Sequence, residues 1–157
     1  NGGSFIAALS ADGRYVTFYS SASDLVSGDT NDAEDIFVRD RQTNTTTRVS
    51  VSSAGVQSSV GSYDSTISAD GRYVAFYSAS PNLVSGDTNG TEDIFVHDRQ
   101  TAITRRVSVN AIGVEGNGQC LFPALSADGE YVVFFTDGSN LVSGDTNGSE
   151  PFVTRAH

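Results

Sequence analysis

One stretch of sequence occurs three times at a fixed interval, and that interval limits the folds open to the chain. Leu-Val-Ser-Gly-Asp-Thr-Asn stands at 25–31, 83–89 and 141–147, and Ser-Ala-Asp-Gly at 10–13, 68–71 and 126–129, so each set is spaced by 58 residues. Such a chain stacks one supersecondary unit on the next, each covering its neighbour's apolar face. The copies are 1–58, 59–116 and 117–157, the last one incomplete. The sequence contains no methionine, so it reads as processed or, the favoured reading, as a piece of a longer chain.

Within each copy the pattern predicts four strands. The first precedes the Ser-Ala-Asp-Gly turn, at 5–9, 66–67 and 122–125, and the second follows it, at 14–20, 72–78 and 130–136. Asp followed by Gly is a strong tight-turn signal because Gly accepts positive φ. The third strand is expected at 35–39 and 93–97 and the fourth at 48–51 and 106–109, with none in the third copy. The second strand is informative. Tyr15, Thr17 and Tyr19 point one way and Val16 and Phe18 the other, and Tyr73, Ala75, Tyr77 against Val74, Phe76 repeats this. Both faces are mostly apolar, so the sheet is covered on both sides. Blades stacked around an axis meet that requirement. The fold class is all-β.

Charge narrows the partners. Nineteen acidic residues against nine basic ones, all of them arginine, leave a formal net charge of −10. An acidic surface repels phosphate backbones and anionic membranes and attracts cations. No run is long and apolar enough to suggest a membrane span, and a single cysteine excludes an internal disulfide.

The run Ile67-Ser68-Ala69-Asp70-Gly71-Arg72-Tyr73-Val74-Ala75-Phe76, followed by 93–98 and 106–109, resembles the TolB-like, WD40-like (PD40-type) repeats of bacterial β-propellers. Ala11, Ala69 and Ala127 stand where that family usually has proline. The resemblance implies four-stranded antiparallel blades, nearly three of them here. It also implies a secreted or cell-envelope bacterial protein: extracellular, periplasmic or cell-surface. Closed propellers have about four to eight blades, so the ring is incomplete in one chain. Either the chain belongs to a longer propeller, favoured by the need of repeat proteins for caps, or two chains form one ring. In the second case Asn1–Leu9 of a neighbour fills the edge left by the absent fourth strand.

The candidate site is the loop between strands two and three. Its oxygen-bearing side chains fall at Asp29, Asn31 and Asp35, at Asp87, Asn89 and Asp93, and at Asp145 and Asn147. Calcium takes six to eight oxygens, and short Asp/Asn-rich loops supply them; Glu34 and Glu92 are further candidate ligands. The competing interpretation is a set of turns closed by Asx-type bonds to backbone amides. In the third copy Pro151 falls on the grid position of Asp93 unless one residue is deleted. The deletion is favoured, with Glu150 in that place, because a one-residue slip would turn every side chain of the strand over.

Catalysis finds little support. His97 is replaced by Arg39 in the first copy, Cys120 stands where Ser4 and Ser62 stand, and no Gly-X-Ser-X-Gly elbow occurs. Asp40-Arg41 and Asp98-Arg99 read as turns with a local ion pair. The expected function is a non-catalytic structural or protein-interaction module with calcium-stabilised loops, binding a protein partner or associating with itself through open blade edges. A carbohydrate- or ligand-binding propeller, with a glycan as partner, is the alternative; a propeller-borne hydrolase or lyase is the third.

Overall fold

Each Ser-Ala-Asp-Gly turn is closed by its own side chains. Ser10 Oγ donates to Asp12 Oδ1 at 2.6 Å, and the amides of Arg14 and Tyr15 donate to Asp12 Oδ1 and Ser10 Oγ at 2.9 Å. Gly13 sits in the left-handed region at φ +68°, open to glycine without a Cβ clash. The turns at Ser68 and Ser126 repeat these bonds.

The computed structural model describes residues 1–146 and 148–157; the sequence-predicted site residue Asn147 lies outside them. The turns join strands into three antiparallel sheets. The first holds β1 (Ser4–Leu9), β2 (Tyr15–Ser20), β3 (Asp35–Asp40) and β4 (Thr45–Arg48) in chain order. The second holds β5 (Ser62–Ile67), β6 (Tyr73–Ser78), β7 (Asp93–Asp98) and β8 (Ile103–Arg106). The third holds β9 (Cys120–Leu125), β10 (Tyr131–Thr136) and β11 (Glu150–Arg155). The fold is the expected all-β one, three successive propeller blades with the ring incomplete.

Three details depart from expectation. The first strands begin earlier, because a bulge between Tyr63 and Thr66 interrupts the register that the sequence alternation stops at. Its residue Asp64 has φ +46°, as Ile6 and Phe122 have φ +38° and +55°. The fourth strands lie three residues earlier than 48–51 and 106–109. At that end Val49 N still donates to the Ile36 carbonyl at 2.8 Å, but the Ile36 amide goes to the Ser50 hydroxyl at 3.1 Å, so the ladder ends there. Lastly, Ser4–Leu9 pairs with β2 of its own blade, as the edge strand of that sheet.

The deletion in the third copy is visible in the register. Thr136 faces Glu150 and Phe134 faces Phe152, as Ser78 faces Asp93 and Phe76 faces Phe95. Glu150 therefore takes the place of Asp93, and Pro151 that of Ile94.

The core lies between blades. Ile36, Val38 and Val49 of the first blade pack on Ile67, Val74, Phe76, Leu83 and Phe95 of the second. Tyr73, Ala75, Ile94, Val96 and Val107 of the second pack on Cys120, Val132, Phe134, Leu141 and Ala156 of the third. The middle blade thus buries both faces, as the two apolar sets of its second strand require. Burial of each such side chain stabilises by about 1.5–3 kcal/mol.

Candidate functional site

The loop after β2 is too long for a hairpin and folds back under β4. Arg48, last residue of β4, reaches into it. Its Nη1 lies 3.2 Å from Asp29 Oδ1 and 3.1 Å from Asp35 Oδ2, and its Nη2 donates to the Gly28 carbonyl at 3.1 Å. Asp35 also accepts from the Ser50 hydroxyl. Asn31 Nδ2 donates to Asp35 Oδ2 at 3.1 Å and to the Ser58 carbonyl at 2.9 Å, while Asn31 Oδ1 accepts the Ala33 amide at 3.3 Å. The predicted trio of Asp29, Asn31 and Asp35 does come together, around a guanidinium.

The second copy repeats the arrangement and adds a carboxylate. Arg106 Nη1 lies 3.4 Å from Asp87 Oδ1, 3.3 Å from Asp93 Oδ2 and 2.7 Å from Glu115 Oε2. Asn89 donates to Asp93 Oδ2 at 3.0 Å and to the Gly116 carbonyl at 2.9 Å. Ser108 Oγ donates to Asp93 Oδ1 at 2.5 Å. The first copy has Gln57 in place of Glu115, and that amide bonds Thr30 at 2.7 Å instead. One oxygen each of Asp87, Asp93 and Glu115 lies within 4.8 Å of the others.

Electrostatics separates the acids. Burial lifts the carboxyls of Asp35 and Asp93, against the Ser50 and Ser108 hydroxyls, which lower them. Burial, and then the neighbouring Asp93 charge, pushes Asp87 up to about 6. Hydrogen bonds from Thr88 hold Glu115 below the usual range. Asp87 Oδ2 is buried without a hydrogen-bond partner. Burying a charge without full pairing disfavours its charged form.

A divalent cation fits the two copies differently. In both, an arginine lies between the acids and the asparagine presents NH₂ rather than oxygen to the last Asp. In the second, three carboxylates face one guanidinium and Asp87 keeps an unsatisfied oxygen. Asp145 of the third loop is half-buried. Glu34 and Glu92 point away, toward the next blade: Glu34 accepts from Tyr63 Oη at 3.2 Å and Glu92 from Gln119 Nε2 at 2.8 Å.

Arg48, Arg106, Ser50, Ser108 and Glu115 escaped the sequence reading. The signal for the arginines was there: each follows its loop's first Asp by 19 residues in both copies. Glu115 carried no signal, since it sits in the stretch that varies between copies.

The remaining chemistry-bearing side chains are tied into the blades. Asp40 pairs with Arg14, not with adjacent Arg41, through bonds of 3.0 and 2.7 Å, and Asp98 pairs with Arg72 in the same two-pronged way. Both carboxyls are held well below the usual range by those arginines. His97 Nδ1 lies 2.8 Å from Thr104 Oγ1, and burial lowers its pKa to about 4. Cys120 is fully buried and its thiol is pushed up to about 11 by that burial. Among the described residues no helix is long and apolar enough to cross a membrane.

No family model matches the sequence, and no curated protein does. Solved structures do. Over 98% of the chain it is similar to a putative TolB from Agrobacterium tumefaciens, at 18% identity and TM-score 0.57, spanning 50% of that protein. Over 97% it is similar to the tricorn protease, at 20% identity and TM-score 0.58, spanning 13% of that chain. The β-propeller domain of the trilobed protease from Pyrococcus furiosus, described as having an open velcro topology, matches at 13% identity and TM-score 0.53, over 98% of this chain and 43% of that one. Blade order, repeat and these likenesses together give the chain the TolB-like β-propeller fold.

Proposed function

We propose that this chain is a non-catalytic structural or protein-interaction propeller module of a secreted or cell-envelope bacterial protein. One observation carries the reading: the groups best suited to chemistry serve as internal scaffold. His97 and Cys120 are buried, with pKa values of about 4 and about 11 that leave them neutral near pH 7. The loop acids Asp29, Asp35, Asp87 and Asp93 face half-buried arginines. A general acid or base works with a pKa near the operating pH and within reach of a substrate. Asp87 is pushed up to about 6, but Arg106 lies beside it, 3.4 Å from its Oδ1. The envelope location rests on the resemblance of the repeats. The test is a panel of peptide, ester and glycoside substrates offered to the purified chain. No turnover above buffer is expected. Turnover that persists through purification and disappears in Glu115→Gln or His97→Gln would overturn the reading.

A second part concerns calcium, and the unpartnered, buried Asp87 Oδ2 favours it. Asp87, Asp93 and Glu115 would hold the ion against the charge of Arg106 and pin the second loop; the first loop has Gln57 in place of the third carboxylate. Titration calorimetry of the apo chain with calcium checks this. One binding event that disappears in Asp87→Asn supports it; no heat, or unchanged heat in that variant, removes it.

A further inference from the structure

Both junctions between blades bring a glutamate to the same end of the sheets, where the second strands finish and the third begin. Ser62 N donates to the Glu34 carbonyl at 2.8 Å and Cys120 N to the Glu92 carbonyl at 2.7 Å. Those bonds tie each glutamate to the first strand of the next blade. A row of rings crosses this end: Tyr19 lies 5.7 Å from Tyr63, and Tyr63 5.6 Å from Tyr77, centroid to centroid. The first pair spans two blades, and the second is a cross-strand pair of the middle blade. A bulge after Tyr63 puts Asp64 at φ +46°, and a bulge re-aims a side chain out of the strand's alternation. Tyr19, Tyr63, Tyr77, Glu34, Asp64 and Glu92 are all half-buried. The row centres on the middle blade, which has both neighbours in place, and not on the outer faces of the first and third.

The acids of this row are bonded by uncharged donors. Tyr63 Oη donates to Glu34 Oε2 at 3.2 Å and Gln119 Nε2 to Glu92 Oε2 at 2.8 Å, and neither adds a positive charge. Arginines are engaged elsewhere: Arg14 and Arg72 with Asp40 and Asp98, Arg48 and Arg106 in the loop pockets, Arg41 and Arg99 on the turn glycines. The phenols feel the resulting field. Burial first, then the charge of Glu34 and more weakly that of Glu92, raises Tyr63. Burial, then Asp64 and more weakly Glu92, pushes Tyr77 up to about 12. A cation over a tyrosine face is attracted by the ring quadrupole, and carboxylates beside the ring add to that attraction. An anionic ligand would be repelled, and a neutral one would gain nothing from the charge.

We propose that this row binds a basic peptide segment of a partner protein, with arginine or lysine side chains laid on the Tyr19, Tyr63 and Tyr77 rings beside Glu34, Asp64 and Glu92. Charge complementarity selects the occupant: three carboxylates and three rings face the ligand, on a chain whose formal net charge is −10. The row runs across two blades, which suits an extended chain with several cationic side chains better than a single amine. The proposal rests on the interaction-module reading and deepens it by giving the chemistry of the partner.

Fluorescence anisotropy tests it, with the 157-residue chain titrated into a labelled peptide that alternates arginine with glycine. Asp64→Asn removes a charge and keeps a residue that tolerates left-handed backbone. Tyr63→Leu removes a ring at unchanged charge, and Tyr63→Phe keeps the ring. Glu130→Gln, at the opposite end of the strands, makes the same change in net charge as Asp64→Asn. Expected are saturable binding, about tenfold weaker in Asp64→Asn and in Tyr63→Leu, and retained in Tyr63→Phe and Glu130→Gln. No binding, equal weakening by Asp64→Asn and Glu130→Gln, or unchanged binding in a folded Tyr63→Leu would overturn the proposal. So would tighter binding of spermidine, a free amine, or of cellohexaose, a neutral glycan. Circular dichroism checks folding; if Tyr63→Leu does not fold, the comparison of Asp64→Asn with Glu130→Gln decides. None of these outcomes touches the non-catalytic reading, which stands or falls on the substrate panel.

Discussion

Arg106 Nη1 lies 2.7 Å from Glu115 Oε2, a contact that Arg48 has no means to make because residue 57 is glutamine. Two nearly identical pockets therefore differ by one unit of charge. Removing the guanidinium leaves buried acids without a counter-ion, and breaking a buried pair from one side costs about 3–5 kcal/mol. Arg106→Gln should sit at the upper end of that range and Arg48→Gln at the lower. Urea denaturation measures both. Calcium should restore part of the stability of Arg106→Gln, where three carboxylates then stand alone, and little of Arg48→Gln.

The blade contact at Gly71 is separable from its backbone conformation. Gly13 and Gly71 have φ of +68° and +74°, and alanine in the left-handed region costs about 1–2 kcal/mol. Gly71→Ala also drives a methyl into the Tyr15 ring, within 2.1 Å of Cδ2, and overpacking adds about 1–3 kcal/mol. Gly71→Ala should therefore lower the stability of the isolated chain more than Gly13→Ala. Urea denaturation of the two variants reads the difference.

Repeat, blade faces and turns were legible because they depend on period and on Asp-Gly, which are local. The two apolar sides of 73–77 announced a sheet covered twice. The fourth strand was not legible. Thr45-Thr46-Thr47-Arg48 is an outer strand, half in water, where β-branched polar residues suffice, while the Val-Ser-Val alternation beside it drew the assignment three residues on. The loops were legible as convergent oxygens at Asp29, Asn31 and Asp35. Their cation was not, because Arg48 arrives from another strand, and side-chain convergence across a sheet leaves no spacing rule in the sequence.

Two buried groups give stability opposite dependences on pH. Asp87 has its folded pKa raised from 3.8 to about 6, so its contribution is greatest below its unfolded value and is lost as pH rises through about 6. Asp35 and Asp93, also raised by burial, act in the same sense. His97 is lowered from 6.5 to about 4. The folded state then binds fewer protons than the unfolded one, and stability is lost as pH falls from 6.5 toward 4. Between these limits the terms oppose. Asp87→Asn should make the chain lose more stability on going from pH 7 to 4.5, and His97→Gln should make it lose less. Chemical denaturation at the two pH values reads both slopes; equal slopes in the two variants would contradict the assignment.

Cys120 reports on the contact between the second and third blades. Its side chain is fully buried with Val107 and Leu141, and Sγ lies 3.4 Å from Thr136 Oγ1. A thiol pushed up to about 11 and closed to solvent reacts with a disulfide reagent only when the blades part. Leu141→Ala removes a core side chain at that contact, and such truncations cost about 2–5 kcal/mol. Leu83→Ala removes one of similar burial at the other contact, between the first and second blades. In a stack whose stability is a sum of neighbour terms, Leu141→Ala should raise the labelling rate of the native chain by at least about tenfold, since 1.4 kcal/mol is a factor of ten. Leu83→Ala should raise it less. Equal acceleration by both would mean that the three blades open as one unit, with no boundary between them that a single contact controls.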